Sequence, residues 1–158
     1  MLYKSFDYMN LFNLLSENGV LVTFVRVCDL IKLDFLANGD TICIHIQDAL
    51  FRVFKNDRLI ISSNDMFVPA KNYKKKPFKK FKWDVPGNSL FDEQVDAFSA
   101  DILNKKVESV KLIGQDLFIN LSFNYKIQVL ANTTQAETEV FRIFKKGDLD
   151  SHFVIENE

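Results

Sequence analysis

The stretch FKWDVPGNSLFDEQVDAFSADILNKK, residues 81–106, decides how the rest of the chain can be organised. Pro86-Gly87-Asn88 stops the preceding segment, Ser89 can cap a helix, and Asp92 stands where a capping-box carboxylate reaches back to the cap. Apolar residues then recur at helical spacing, namely Phe91, Val95, Phe98 and Ile102. The stretch therefore predicts an amphipathic helix whose apolar side needs a sheet to lie on.

Charged residues near both ends of this helix have the signs that its dipole favours. Asp92 and Glu93 fall in the first turn, and we expect Lys105 and Lys106 in the last turn. These charges therefore predict both the start and the end of the helix.

Length and composition are typical of a globular protein with a sizeable core. The 158 residues predict one domain over residues 1–158, and 47% of them are hydrophobic and 26% charged. Sixteen phenylalanines supply buried area but no catalytic group. They favour a well-packed scaffold with an aromatic contact surface.

Two cysteines and the N-terminal sequence bear on compartment and cofactors. Cys28 and Cys43 form no CxxC motif or Cys/His cluster, so we expect reduced thiols and no metal or cofactor. The N-terminus lacks the long apolar region of a signal peptide, and no apolar run approaches the ~20 residues that span a bilayer. We expect a cytoplasmic protein without a membrane partner.

The first half of the chain reads as a helix followed by strands. Residues 8–17 predict a short helix with Met9 and Phe12 facing inward, together with Leu15 or Leu14. Strands are predicted at residues 20–27, 30–36, 41–47, 51–54 and 59–62, with turns at Asn38-Gly39-Asp40 and Asn56-Asp57. Because residues 20–27 are β-branched or aromatic on both faces, we expect that strand to be covered on two sides.

A second series of strands follows the central helix. The alternation predicts strands at residues 107–112, 117–123, 125–129 and 140–144, with a polar loop over 131–138. The tail, residues 145–158, mixes charged and apolar residues, so we expect it to be loosely held. The predicted fold class is α+β, with antiparallel β-meanders, one central amphipathic helix and a short N-terminal helix.

The two series of strands resemble each other. Phe51-Arg52-Val53-Phe54 matches Phe141-Arg142-Ile143-Phe144, and Asp29-Leu30 matches Asp116-Leu117. One interpretation is an internal repeat of residues 8–69 and 88–145, joined by the lysine-rich crossover loop 70–82. The other is chance similarity, because apolar alternation alone makes such matches easy.

Motifs for catalysis are absent from the sequence. It contains no GxSxG, P-loop, GxGxxG or HExxH pattern. His45 lies in an alternating strand and His152 in the tail, where structural or solvated roles are the simpler reading. The aspartates at strand ends and turns fit backbone capping better than paired carboxylates of a hydrolase, and they are Asp29, Asp34, Asp40 and Asp48. We predict no catalytic residue and expect a protein that is not an enzyme.

Lysine is concentrated in residues 71–82. Removing the seven positive charges of this segment from the net charge of −1 leaves −8. Three readings are open: a solvated loop, an electrostatic clamp on an acidic protein, or a nucleic-acid site in which Tyr73, Phe78 and Phe81 stack on bases. Nucleic acid is the least favoured, because the segment has no arginine and the remainder is acidic.

Several of these segments together resemble a known family. They are residues 64–69 (NDMFVP), Trp83-Asp84 with GNSLFDE at residues 87–93, the strand at 117–123, and the closing FRIF at residues 141–144. They resemble a family of small Gram-positive bacterial proteins with a WD..GNSLFDE motif, which is similar to immunity proteins of polymorphic toxin loci. The similarity covers roughly residues 20–144. Two features depart from the family: the usual closing Trp-Arg is Phe141-Arg142, and the lysine-rich insert is heavier.

The resemblance implies a non-enzymatic antidote that binds a cognate toxin protein. Such inhibition needs a rigid scaffold, a few aromatic anchors and a charge pattern opposite to that of the target. On this reading the partner-binding residues are Asp65, Lys74, Lys75, Lys76, Phe78, Lys79, Lys80, Trp83 and Asp84. Their structural alternatives are turn capping for the aspartates, solvation for the lysines and core packing for Trp83. A nucleic-acid-binding module using residues 71–82 is the alternative function.

Overall fold

The structure is a computed structural model that describes residues 2–73, 80–148 and 152–157, with side chains from residue 8 onward. Within these residues the chain forms two α-helices, α1 (Leu2–Asn18) and α2 (Leu90–Ile102), and a short 3₁₀ helix, Ser63–Phe67. The strands are β1 (Val20–Val27), β2 (Leu30–Ala37), β3 (Asp40–Ile46), β4 (Ala49–Lys55), β5 (Arg58–Ser62), β6 (Val107–Ile113), β7 (Asp116–Leu121), β8 (Tyr125–Ala131), β9 (Glu139–Lys145) and β10 (Phe153–Glu156). The predicted α+β class is confirmed.

The strands form two antiparallel sheets that exchange strands between the halves of the chain. One sheet has the order β1-β2-β3-β9-β10 and the other β5-β4-β8-β7-β6. Strand β9 pairs with β3, so that Phe141 lies opposite Ile46, and β4 pairs with β8, so that Phe51 lies opposite Val129. Each sheet therefore needs strands from both halves. The internal sequence repeat itself stays a prediction.

One hydrophobic core contains residues of both sheets and both helices. Phe24 of β1, Phe51 of β4 and Phe91 of α2 meet edge to face, with ring centroids 5.5 to 6.5 Å apart. Phe91 and Ile102 are fully buried, and Val95 and Phe98 pack against the core. The predicted apolar side of the central helix is confirmed.

The capping box of α2 is also confirmed, whereas the charges at its end are not placed as expected. The Asp92 amide donates to Ser89 Oγ at 3.2 Å, and the Ser89 amide donates to the Asp92 carboxylate at 3.5 Å. The helix ends at Ile102, so Lys105 and Lys106 lie beyond its last turn. The reason is that residues 104–107 pair with the start of β1, where the Asn104 amide donates to Leu21 O at 2.7 Å.

The N-terminal helix is longer than predicted, and one of its residues expected inside is exposed. It begins at Leu2 rather than at residue 8, and Met9 is 46% exposed although it was expected inside. Phe12 and Leu15 are buried as predicted, and the Tyr8 ring packs edge to face on Phe12 at 5.7 Å. Neither described helix is long and apolar enough to cross a membrane.

Two further expectations are wrong. Strand β1 is not covered on both faces: Val22, Val25 and Val27 are exposed, because only the other face lies on the core. The tail is not loosely held throughout, since Phe153–Glu156 forms β10 at the edge of the first sheet. There Val154 lies opposite Arg142, and backbone pairing holds this short segment in place.

Candidate protein-binding surface

A nearly buried ion pair fixes the start of α2 against β1. Arg26 Nε and Nη2 donate to the two carboxylate oxygens of Asp92 at 2.9 and 2.6 Å. The two side chains are only 5% and 14% exposed. A bidentate pair of this kind gives orientation as well as energy, because the planar guanidinium matches the carboxylate at two points. The start of the helix cannot move relative to the sheet without breaking both bonds.

Asp92 is held in its charged form. Burial acts to raise the pKa of this carboxyl, but hydrogen bonds from Arg26 and Ser89, the Arg26 charge and the Gly87 amide together lower it below its usual range. The Gly87 amide donates to Asp92 at 3.0 Å, and its φ of 86° is one that glycine adopts without steric cost. One carboxylate thus organises the helix start and the turn before it.

Arg26 also fixes the segment that leads into α2. Its Nη2 donates to the Trp83 carbonyl at 3.0 Å, and within the segment Asn88 Nδ2 donates to Lys82 O, also at 3.0 Å. The backbone around Trp83 is therefore held by a hydrogen bond from β1 and by another within the segment itself. The WD..GNSLFDE motif builds a rigid frame in this structure.

The same frame joins the chain on both sides of the lysine-rich segment. The Ala70 amide donates to Asn88 O at 2.9 Å, and the Leu90 amide donates to Val68 O at 2.7 Å. Glu93 accepts from the Lys71 amide at 2.7 Å. The ends of the loop 70–88 consequently meet at the start of α2.

An exposed aromatic pair lies on this frame. The Phe67 ring, at the end of the 3₁₀ helix, packs on Trp83 with centroids 5.2 Å apart and planes tilted by 59°. Phe67 is 60% exposed, and the neighbouring Val68 and Val85 are exposed as well. We call these four residues, Phe67, Val68, Trp83 and Val85, the aromatic surface. Large apolar side chains grouped at a surface are typical of contact sites.

The structure describes four of the nine predicted partner-binding residues, and one of them, Trp83, belongs to the aromatic surface. Trp83 is half-buried against Phe67 rather than packed in the core, and Lys80 and Asp84 are exposed. Asp65 lies in the 3₁₀ helix, where burial raises the pKa of its carboxyl against the opposing effect of a hydrogen bond with the Ser62 backbone. The others lie outside the described residues: Lys74, Lys75, Lys76, Phe78 and Lys79.

Two groups of types often used in catalysis, the Cys43 thiol and the His45 imidazole, have pKa values shifted by burial. Burial and the Asp34 carboxylate raise the pKa of the Cys43 thiol to about 12, so the reactive thiolate is not populated near neutral pH. Burial and the Lys32 charge lower the pKa of His45, whose ring packs edge to face on Phe144 at 4.9 Å. Among the residues with described positions, no three His, Cys, Asp or Glu side chains form a group that could hold a metal.

An open cleft of about 550 Å³ borders the aromatic surface at Phe67. Asp29 and Asp48 also line it, and Gln47 Nε2 donates to Asp29 Oδ2 at 3.1 Å. This bond joins two side chains 18 residues apart, so the turn-capping role expected for Asp29 stays a prediction. The lining side chains are mainly amides, hydroxyls and carboxylates over a few apolar residues.

Sequence reasoning misses Arg26 and Phe67. Arg26 is the one charged residue of β1, VLVTFVRV, and a charge inside an apolar strand is a signal for a buried partner. Its partner, Asp92, lies 66 residues away, so no local pattern identifies it. Phe67 belongs to the family-like segment 64–69 but has no property that separates it from the other phenylalanines in the sequence.

The chain was compared with known proteins at the levels of family, sequence and structure. No protein-family model, no curated protein and no solved structure matches it. The resemblance to immunity proteins is therefore a proposal.

Proposed function

We propose that this chain is an immunity-type protein, which neutralises a cognate bacterial toxin by non-covalent association through the aromatic surface. The observation that carries the proposal is the exposed pair of Phe67 and Trp83 on a frame fixed by Arg26 and Asp92. The aromatic rings provide contact area, and the ion pair keeps their supporting backbone in one conformation.

Rigid aromatic anchors are well suited to tight inhibition. Aromatic residues are enriched among those that dominate binding energy, because they bury much area at low conformational cost. A surface that is already ordered before binding avoids part of the entropy cost of association. Because Trp83 O is held by Arg26 and the Trp83 ring by Phe67, the free protein presents both rings in place.

The charge pattern suits a protein partner with an acidic site. Lys71, Lys80 and Lys82 are exposed at the two ends of the lysine-rich segment, next to the aromatic surface. Such charges accelerate encounter and select the partner more than they add affinity. A toxin that binds a basic or a metal-bound substrate through carboxylates would have the complementary surface.

Co-expression with the product of the adjacent gene tests the proposal. The wild type should restore growth and co-purify with the toxin, whereas Phe67→Ala and Trp83→Ala should weaken association about 30-fold or more, as expected for hot-spot residues. Ile113→Ala is the matched control, because Ile113 is 61% exposed and Phe67 is 60% exposed. Trp83→Ala leaves the carbonyl that Arg26 binds, so a melting curve can verify that the variant is folded.

Two results would contradict the proposal. One is growth no better than with an empty vector, together with no co-purification. The other is equal association by the Phe67, Trp83 and Ile113 variants, which would move the binding site away from the aromatic surface.

A further inference from the structure

The turn between β7 and β8 carries a large aromatic residue where the backbone favours asparagine or glycine. Phe123 and Asn124 have φ of 62° and 60°, in the left-handed region. Two other hairpin turns have successive positive φ angles, and they hold Asn38-Gly39 and Asn56-Asp57. Asparagine and glycine tolerate this conformation, whereas a bulky residue is strained in it. Phe123 therefore occupies a backbone conformation that its residue type disfavours.

Burial in the core does not compensate for this strain. Phe123 is 72% exposed, the highest exposed fraction among the large hydrophobic residues described. An exposed ring contributes little to folding, because little apolar area leaves water. A strained and exposed aromatic residue in a hairpin turn points to a role outside the fold.

Neighbouring segments hold all three turn residues in place. The Ser122 amide donates to Lys106 O at 2.8 Å, and the Lys106 amide donates back to Ser122 Oγ at 3.1 Å. Lys55 Nζ donates to Phe123 O at 2.8 Å, and the Asn56 amide donates to Asn124 O at 3.0 Å. The surroundings thus fix the backbone conformation that the Phe123 side chain disfavours.

Two lysines give this turn a basic border. Lys105 Nζ lies 4.9 Å from the centroid of the Phe123 ring, and Lys55 Nζ binds its carbonyl. Both ammonium groups share Asp101, at 3.8 and 4.0 Å, so one acid partly balances two bases. The complementary surface is an apolar pocket with carboxylates at its rim.

We infer that Phe123 is a second anchor residue, which inserts into an apolar, carboxylate-rimmed pocket on the same toxin. This inference rests on the proposed function. The aromatic surface lies at the start of α2, and Lys105, beside the Phe123 ring, lies just past its end. With a rise of 1.5 Å per residue these positions are about 20 Å apart, within the span of an interface of standard size.

Phe123→Asn tests the inference by two opposite effects. Because Asn relieves the strain, the melting temperature should rise by about 2–4 °C. Because the anchor is lost, association with the toxin should weaken at least tenfold. Lys105→Gln should weaken association about threefold and reduce its salt dependence. Ile113→Ala, which removes an exposed side chain from the neighbouring β6, should change neither association nor its salt dependence.

The outcomes show whether the inference alone is wrong or the proposed function is wrong with it. Phe123→Asn binding as tightly as the wild type, while Phe67→Ala is weakened, would overturn the inference and leave the function standing. A lower melting temperature for Phe123→Asn would show that the ring stabilises the fold and would contradict the inference. An unchanged salt dependence of association for Lys105→Gln would contradict a pocket with carboxylates at its rim. A wild type that does not bind the toxin would overturn the function and the inference together.

Discussion

The turn between β2 and β3 and the turn between β7 and β8 occupy the same place in the two halves of the chain, yet they are built from different residues. Asn38-Gly39 supplies the residue types that left-handed backbone favours, and it serves to connect two strands. Phe123-Asn124 places an exposed ring in the same backbone conformation. The local backbone preference of this turn therefore does not explain the choice of Phe123.

The two helices differ in a related way. Helix α1 has no acidic residue in its first turn, and from residue 8 onward its buried side packs on the core through Phe12 and Leu15. Helix α2 has a capping box, two acidic residues in its first turn and a buried ion pair to β1. The start of α2 is thus fixed to β1, and Arg26 also binds the Trp83 carbonyl in the segment before it.

The largest expected effect comes from breaking the ion pair of α2. Asp92→Asn leaves Arg26 nearly buried without its counter-charge, so the free energy of unfolding should fall by about 3 kcal/mol. Urea denaturation measures this loss. Asp57→Asn is the matched control, because its pair with Lys126 is mostly exposed and should contribute less than about 1 kcal/mol. Similar losses in both variants would show that the buried ion pair of α2 contributes no more to stability than an exposed one.

The same pair should make stability depend on pH. The pKa of Asp92 is lowered in the folded state, so its contribution is present above the unfolded carboxyl pKa of about 3.9 and is lost as pH falls through the folded value. The difference in unfolding free energy between wild type and Asp92→Asn should be constant near neutral pH and shrink below about pH 4. Urea titrations at several pH values check this. A difference that grows on acidification would have the wrong sign.

A substitution that mirrors Phe123→Asn sharpens the comparison of the two turns. Asn38→Phe puts a bulky residue at φ of 51°, so we expect a loss of about 1–2 kcal/mol in the free energy of unfolding. Because Asn38 is exposed, no change in core packing contributes to the loss. Thermal melting with urea denaturation measures it. If Asn38→Phe is neutral, the turn tolerates bulky residues and the strain assigned to Phe123 is absent.

The smallest expected effect concerns the lysine-rich segment and the alternative function. Changing its seven lysines to glutamine should leave the melting temperature unchanged, because the exposed members Lys71, Lys80 and Lys82 have their charges in water. Nucleic-acid binding by this segment predicts association with single strands that falls steeply with salt and disappears in the variant. Flat binding curves of the wild type at low salt would exclude it.

Local features of the fold could be predicted from the sequence. The capping box, the apolar side of α2 and the turns at Asn38-Gly39 and Asn56-Asp57 depend on residues a few positions apart, and the structure contains all of them. Strand β1 was also correctly bounded, since its period differs sharply from that of the helix before it.

Long-range features could not be predicted. Which strand lies beside β4 or β9 depends on residues many tens of positions away, so the exchange of strands between the halves has no local signal. Strand β10 has only four residues, too few for an alternating pattern to be recognised. The contact of Arg26 with Asp92 spans 66 positions, and the exposure of Phe67 depends on how the 3₁₀ helix sits on α2.

Hydrogen–deuterium exchange with and without the toxin tests the central claim most directly, because it locates the contact without any substitution. Binding through the aromatic surface predicts slower exchange at residues 64–68 and 80–89, with a second protected stretch at residues 122–124. Protection of the open cleft beside Phe67, at residues 47–48 and 132–138, with none at residues 80–89, would contradict it.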